Sequence, residues 1–345
     1  MKHEQIIGFG IVGTGVVADF HRMAIDANAD KGARLIAVST RDPVKRQAAG
    51  KAFGVDCLSY ESLCRHPQID VICICTPSGY HAAQALAAAE AGKHVLVEKP
   101  MALTLDDADS MIDAFSRAGR LLGVALQRRA EPLFRSIFDA IRAGDLGILT
   151  SGIVTIPYHR PQNYFDSQAW RGTWALDGGG VLMNQGIHLV DLLVWYMGDP
   201  VETKAFGATL QKRIEVEDTV AAALRFSGGA MATITATTVA PPGFPHRLEI
   251  YGTRGGIQVE GEAVTRWSLV DAAAAVVVEP PELQVKSGAG AGGDPKAIPI
   301  SGHVGLISNF MDALRGNGSL FIDGKEGRRS LAAVLGVYSA AELIC

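Results

Sequence analysis

GIVGTGVVADFH, residues Gly10 to His21, runs from an apolar stretch into a helical pattern and sets Gly13, Gly15 and Ala18 in a G-x-G-x-x-A spacing. Each small residue answers a separate demand. Gly13 makes a tight turn, Gly15 lets the backbone approach a pyrophosphate, and Ala18 lets helix and strand pack closely. The start of the helix offers N–H groups and the positive end of its dipole to phosphates. Glycine-rich turns are common, and it is the position between a first strand and a first helix that makes this one specific for a dinucleotide. Thr14, Val16 and Val17 lie in the same turn and are expected to line the cofactor.

Working outward, ARLIAVST (33–40), DVICICTP (70–77), HVLVEKP (94–100) and LLGVAL (121–126) read as further strands, with helical patterns at 42–54, 79–92 and 104–119 between them. The last of these helices has Thr104 as its cap and Gly119 as its stop. Strands separated by helices imply right-handed crossovers and a parallel sheet. The pattern then changes. One helix is expected over 132–144, and then apolar and polar residues alternate in ILTSGIVTI (148–156), VETKAFGATL (201–210), DTVAAALRFSGGAMATITATTVA (218–240) and HRLEIYGTRGGIQVEG (246–261). The Ser-Gly-Gly within the third is a hairpin turn, so these strands suggest an antiparallel sheet with one face covered by helices. SGAGAGGDPK (287–296) reads as an exposed flexible loop, and two helices near 303–315 and 325–343 end the chain. The division expected is 1–127 for dinucleotide binding and 128–345 for substrate binding and oligomerisation.

Composition sets bounds. The 345 residues are 48% hydrophobic and 20% charged with a net charge of -4, an ordinary globular balance that gives no nucleic-acid surface. No apolar run reaches the ~18–20 residues of a membrane span, and the chain enters a strand without a signal-peptide pattern. The five cysteines, an odd number, point to reduced thiols and a cytoplasmic setting. Cys73 and Cys75 share a strand face as core residues; no second Cys or His pair completes a metal site, and no metal is expected.

Several side chains fall where ligands bind in open α/β sheets, at the carboxyl ends of strands. Ser39, Thr40 and Arg41 stand where NAD sites usually place an acid; a hydroxyl with an arginine suits a 2′-phosphate, and the expectation leans to NADP, with Arg41 stacked on adenine or facing solvent as the alternative. Thr76 and Pro77 end the next strand, and His81 opens the following helix as a cofactor neighbour. Glu98 and Lys99 end another, and Gln127 follows the last. A lysine beside a nicotinamide would be pushed towards its neutral form by burial and by the positive oxidised ring, which suits proton chemistry. In DGGGVLMNQGIHLVDLLVWYMGDP (177–200), three glycines lead into a helix carrying Asn184, His188 and Asp191 on one face.

Taken together, GTGVVA, EKP and GGGVLMNQGIHLVD resemble the Gfo/Idh/MocA family of NAD(P)-dependent oxidoreductases over essentially the whole chain. The resemblance implies an α/β N-terminal Rossmann domain and an α+β C-terminal domain with a large, mostly antiparallel open sheet. It implies hydride exchange between a nicotinamide cofactor, NAD or NADP, and a hydroxyl or ketone of a sugar, inositol or related polyol, in a homodimer or homotetramer. The family's lysine matches Lys99 and its catalytic histidine matches His188. Many inositol- and sugar-oxidising relatives carry an aspartate one turn before that histidine; here the position is Asn184, which offers a donor and an acceptor but takes no proton.

The loop PYHRPQNYFDSQAWRGTWALDGGG (157–180) supplies further substrate candidates in Tyr158, Trp170 and Arg171, since aromatic rings suit the apolar faces of a sugar and arginine pairs with a carboxylate. His188 is expected to exchange the hydroxyl proton while Lys99 stabilises the alkoxide, or the reverse. The alternatives are a nucleotide-sugar dehydrogenase or ketoreductase, whose diphosphate needs a longer groove, and a non-catalytic dinucleotide-binding regulator.

Overall fold

The computed structural model describes residues 6–270, 277 and 278, and 299–343. By contacts the chain divides into two compact units, Met1–Ala130 with Ile300–Leu331, and Glu131–Pro299 with Ala332–Cys345. The grouping differs from a linear division at 127/128, because residues 300–331 pack with the first unit.

In the first unit, β1 (Ile7–Val12), β2 (Ala33–Ser39), β3 (Asp56–Leu58), β4 (Val71–Ile74), β5 (His94–Glu98) and β6 (Leu122–Ala125) form one sheet in the order β3-β2-β1-β4-β5-β6. Every pairing is parallel. Helices α1 (Val16–Asp26), α2 (Arg46–Phe53), α3 (Tyr60–Arg65), α4 (His81–Glu90) and α5 (Leu105–Ala118) connect successive strands. The strand order reverses between β1 and β4, the switch point at which such sheets bind dinucleotides. The ends of α5 follow the sequence: the Thr104 hydroxyl accepts from the Asp107 N–H, and Gly119 closes the helix at φ 61°. β4 is fully buried, as is Cys75 just beyond it, which accounts for its unbroken apolar sequence.

The second unit opens with α6 (Pro132–Ala143), which ends at left-handed Gly144. It then builds an eight-stranded sheet from β7 (Leu149–Pro157), β8 (Pro200–Ala208), β9 (Thr219–Phe226), β10 (Met231–Thr237), β11 (Arg247–Gly252), β12 (Gly255–Glu260), β13 (Ala263–Val270) and β14 (Val277–Val278). The order is β14-β13-β12-β11-β7-β10-β9-β8. Ser227–Gly229 makes the expected turn between β9 and β10. β7 and β10 lie side by side in parallel, against the run of antiparallel neighbours. Alternation decides which face is buried: Val220, Ala222, Leu224 and Phe226 of β9, Ala232, Ile234 and Ala236 of β10, and Val154 and Ile156 of β7 all point inward.

Helix α7 (Gln162–Asp166) interrupts the loop after β7, and α8 (Ile187–Met197) covers the inner face of the sheet. A Cβ at Gly152 would stand 2.6 Å from Met197 Sδ and 2.8 Å from Leu193 Cδ1, so glycine is what lets α8 press onto β7. The Trp195 and Phe138 rings stack at 4.1 Å, and Tyr196 donates to the Phe134 carbonyl, which fastens α6 to α8. The last helices are α9 (Ser301–Leu314), in the first unit, and α10 (Gly324–Ala340), whose residues fall partly in each unit. The loop at 287–296 lies outside the described residues.

Ile234 is wholly buried in the centre of the second sheet. Ile234→Ala is expected to lower stability by about 2–5 kcal/mol, read as an earlier denaturant midpoint; a loss under about 1 kcal/mol would mean that the inner face is loosely packed.

Candidate active site

In the first unit, Gly13 has φ 92°, and a Cβ there would meet the Cys75 carbonyl oxygen at 2.4 Å. The β1–α1 turn is therefore closed to any other residue. At Gly15 an added Cβ would meet nothing within 4 Å, and no side chain caps α1. Thr14, Val16 and Val17 are at least partly exposed around it. An open glycine backbone at the start of an eleven-residue helix fits a pyrophosphate.

The neighbouring strand ends are more occupied than the sequence suggests. Ser39 is buried and Thr40 partly so. Arg41 lies 5.0 Å over the Tyr80 ring and donates to its hydroxyl at 2.8 Å. Asp42 accepts from the Val44 N–H. Thr76 donates to Gln84 at 2.6 Å, and Pro77 leads into His81. His81 is buried, with Nδ1 2.8 Å from the Pro100 carbonyl and Nε2 2.9 Å from that of Thr76. It braces the segment after Lys99 against the end of β4, and burial pushes its pKa down. Gln127 is buried, and a Cβ at Gly302 would meet its carbonyl at 2.8 Å.

Glu98 is 5% exposed and faces inward. Its Oε1 is 2.8 Å from His21 Nε2 and 3.7 Å from His303 Nε2, and Oε2 accepts from the Lys99 N–H at 3.2 Å. Burial opposes ionisation of Glu98, but the two imidazoles outweigh it and hold the carboxyl well below its ordinary range. The half-buried Lys99 stands directly after this anchor, and its charge helps to depress the pKa values of His81 and His303. His21, Glu98 and His303 are also a set of metal-type ligands, all buried, drawn from outside the cysteines on which the metal expectation rested. Their short contact is already matched as an imidazole–carboxylate pair.

In the second unit the GGG stretch leads into a π-helical turn, Val181–Gly186, and not directly into α-helix. Val181–Met183 and most of α8 are buried; Asn184, Gln185 and His188 are the partly exposed residues of the stretch from 181 to 194. Asp191 is fully buried. The Asn184 amide donates to Asp177 Oδ1 at 2.6 Å and its carbonyl accepts from Gln185 at 3.2 Å. The other oxygen of Asp177 accepts from the Gly172 N–H at 2.9 Å. One carboxylate thus joins the Asn184 turn to the loop that carries Trp170 and Arg171.

That loop is a stack of cations and rings. The Arg171 guanidinium lies 4.1 Å over Tyr164 and 4.9 Å from the Trp170 ring centre. Arg160 lies 5.7 Å from Tyr164 and 5.4 Å from Tyr158. Arg171 Nε is buried without a hydrogen-bond partner among the described residues. Tyr158 is buried, with its hydroxyl 2.9 Å from His246 Nδ1. Of the substrate candidates, Trp170 and Arg171 sit on the loop tied to the Asn184 turn, and Tyr158 packs against Arg160 and His246.

Residues 7–126 match the oxidoreductase family with an NAD-binding Rossmann fold, and residues 134–258 match the GFO/IDH/MocA C-terminal domain. The chain belongs to the GFO/IDH/MocA oxidoreductase family. Within it, the WlbA dehydrogenase from Bordetella pertussis, solved in complex with NADH and UDP-GlcNAcA, is 34% identical, with 98% of this chain and 97% of that one covered at a TM-score of 0.86. A 1,5-anhydro-D-fructose reductase from Ensifer adhaerens is 29% identical over 96% of each chain. An inositol 2-dehydrogenase from Rhizobium meliloti is 28% identical over 74% of this chain and 76% of its own length. The fold of both units and the NAD-binding class agree with the expectation from the motifs, and this chain is an oxidoreductase with an NAD-binding Rossmann domain. No helix among the described residues is long and apolar enough to cross a membrane.

Four residues around these sites carry no local motif: His21, His303, Glu217 and Tyr338. Glu217 is buried, and its carboxylate accepts from the Gly180 and Leu182 N–H groups and from Tyr338. Burial raises its pKa, the donors pull it back, and the result is about 7. The folded state therefore holds this proton more tightly than the unfolded chain. The associated stability is fully present below the ordinary carboxyl pKa near 4.5 and is lost as pH rises through about 7. Between pH 5 and 8 the wild type is expected to lose stability relative to Glu217→Gln, by an amount on the order of 3 kcal/mol at most. Parallel melting curves for the two proteins across that range would refute the raised pKa.

Proposed function

We propose that this oxidoreductase transfers a hydride between NAD and a secondary hydroxyl of an anionic sugar, of the sugar-acid or nucleotide-linked sugar-acid class. The observation that carries the anionic part is the Arg160–Tyr164–Arg171 stack, tied through Asp177 to the turn that precedes His188. A buried guanidinium nitrogen with no hydrogen-bond partner among the described residues suits a carboxylate or phosphate oxygen. The complex of the Bordetella relative with UDP-GlcNAcA supports the same substrate class. Sequence favours NADP at Ser39–Arg41; the burial of Ser39, the pairing of Arg41 with Tyr80 and the NADH in that relative support NAD instead.

Bound NAD supplies the hydride acceptor at its nicotinamide ring. The chain's residues manage the oxygen. His188 takes the hydroxyl proton as the C–H electron pair leaves, so that the carbinol becomes a ketone. Lys99 donates to the same oxygen and stabilises the developing alkoxide charge. In the reverse direction the imidazolium returns the proton. Glu98 and its histidines keep the Lys99 backbone in place, and Arg171 orients the sugar through its anionic group.

The test is a panel of inositols, anhydrosugars, sugar acids and UDP-linked sugar acids, each with NAD and NADP, read by nicotinamide absorbance. Turnover is expected with an anionic sugar and NAD. Lys99→Ala and His188→Ala should each lower kcat by about 10²–10⁴-fold with NADH affinity kept. Arg171→Ala should lower kcat/KM for the anionic substrate by about 10–100-fold and leave any neutral polyol unaffected. A preference for neutral polyols overturns the substrate class, and near-normal turnover in both Ala variants overturns the site.

A further inference from the structure

The first N–H groups of a helix have no partners within it, and Gly180, at the start of the π-helical turn, has no side chain with which to supply one. The missing acceptors come from far along the chain. Gly180 N–H donates to Glu217 Oε2 at 2.8 Å, Val181 N–H to the Glu217 carbonyl at 3.1 Å, Leu182 N–H to Glu217 Oε1 at 2.9 Å, and Met183 N–H to the Tyr338 hydroxyl at 3.0 Å. Tyr338 in turn donates to Glu217 Oε1 at 2.8 Å. Four consecutive backbone donors are thus received by two residues from elsewhere in the second unit.

The glycines make this possible. A Cβ at Gly179 would stand 2.3 Å from the Tyr338 hydroxyl, and one at Gly180 would stand 1.7 Å from the Glu217 carbonyl oxygen. The segment around Glu217 also reaches the substrate loop. Glu215 accepts from the Trp174 N–H through its carboxylate and from the Trp174 indole through its carbonyl, both at 3.1 Å, and the Trp174 ring meets Tyr338 edge-on at 5.6 Å. π-Helical turns are rare and concentrate at functional sites; this one carries Asn184 and passes straight into the helix of His188.

We propose that Glu217 and Tyr338 are positioning residues that hold the π-helical turn, and through it Asn184 and His188, in the shape that catalysis needs. The inference rests on the reading of His188 as the residue that exchanges the substrate proton. In Glu217→Gln an amide N–H₂ faces backbone donors, and the turn loses at least one acceptor. In Tyr338→Phe the Met183 N–H loses its hydroxyl partner, a milder change within the same packing.

The experiment compares Glu217→Gln, Glu217→Asp, Tyr338→Phe, the Gln/Phe double variant and His188→Ala, assayed with a sugar that the wild type turns over, well below each melting temperature. Misplacement of a reacting group by about 1 Å costs roughly 10²-fold. Accordingly, Glu217→Gln should lower kcat by about 100-fold and Tyr338→Phe by about 10-fold, with NADH Kd unchanged and Glu217→Asp partly restored. The double variant should cost little more than Glu217→Gln alone, because the two residues serve one turn. Folded variants with lowered melting temperatures but kcat within about 2-fold of wild type would overturn the inference. If Glu217→Gln fails to fold, Glu217→Asp and Tyr338→Phe decide it. A lost rate in His188→Ala beside normal rates in the other variants overturns this inference alone; a normal rate in His188→Ala overturns the site reading and the inference with it.

Discussion

The second unit turns on a helix start that cannot satisfy itself. Residues 180–183 are buried, so their N–H groups have no water to turn to, and a buried donor left without an acceptor costs about 1–3 kcal/mol. Glu217 and Tyr338 meet that need only if three distant segments close on one another: the glycine turn, the strand-start at 217 and the last helix. The contact is too tight for any side chain at 179 or 180. The entry into α8, which carries the catalytic candidate His188, is therefore set by how the turn before it is gripped.

The buried acids are stabilised in contrasting ways, and the contrast follows their tasks. Glu98 is paired with imidazoles and stays ionised, which suits a residue that fixes the backbone of a lysine. Asp218 accepts from the N–H groups of Leu210, Gln211 and Lys212 and from the Thr219 hydroxyl, which together outweigh burial and lower its pKa. For Glu217 burial outweighs its donors and moves it the other way. Both are shielded from solvent, and Asp218 has the larger set of donors, four on its carboxylate against three on that of Glu217.

What the sequence revealed was what neighbours in the chain determine. The turn at Gly13–Gly15, the Thr104 cap, the stops at Gly119 and Gly144 and the hairpin at Ser227–Gly229 are local demands on backbone shape, and each reads directly from residue type. The inner face of β9 and β10 follows from period-two alternation. The parallel contact of β7 with β10 does not, since it depends on which edge the hairpin docks against. Nor does the return of 300–331 to the first unit, where His303 comes to lie against Glu98 from more than two hundred residues away. Helical periodicity over 181–197 pointed to a plain α-helix; the π-helical turn comes from acceptors at 217 and 338 that no window around 181 contains.

Asn184 shows the same logic at a single position. The resemblance implies an aspartate there in many inositol- and sugar-oxidising relatives, and beside them an amide looks like a lost acid. Its partner changes that view. Asp177 Oδ1 lies 2.6 Å from the Asn184 nitrogen, and Asp177 is itself buried and holds the Gly172 N–H. A second carboxylate at 184 would face the first at hydrogen-bond distance, where two like charges cannot both be ionised and a proton must be shared between them. The amide avoids this by donating to Asp177 with one end and accepting from Gln185 with the other, and a flipped amide would set oxygen against oxygen. An acid is thus still present next to this turn, but it lies seven residues earlier in the chain, where it ties the arginine-bearing loop to the helix of His188. At 177 the charge is held by backbone and amide donors, the Gly172 N–H and the Asn184 amide.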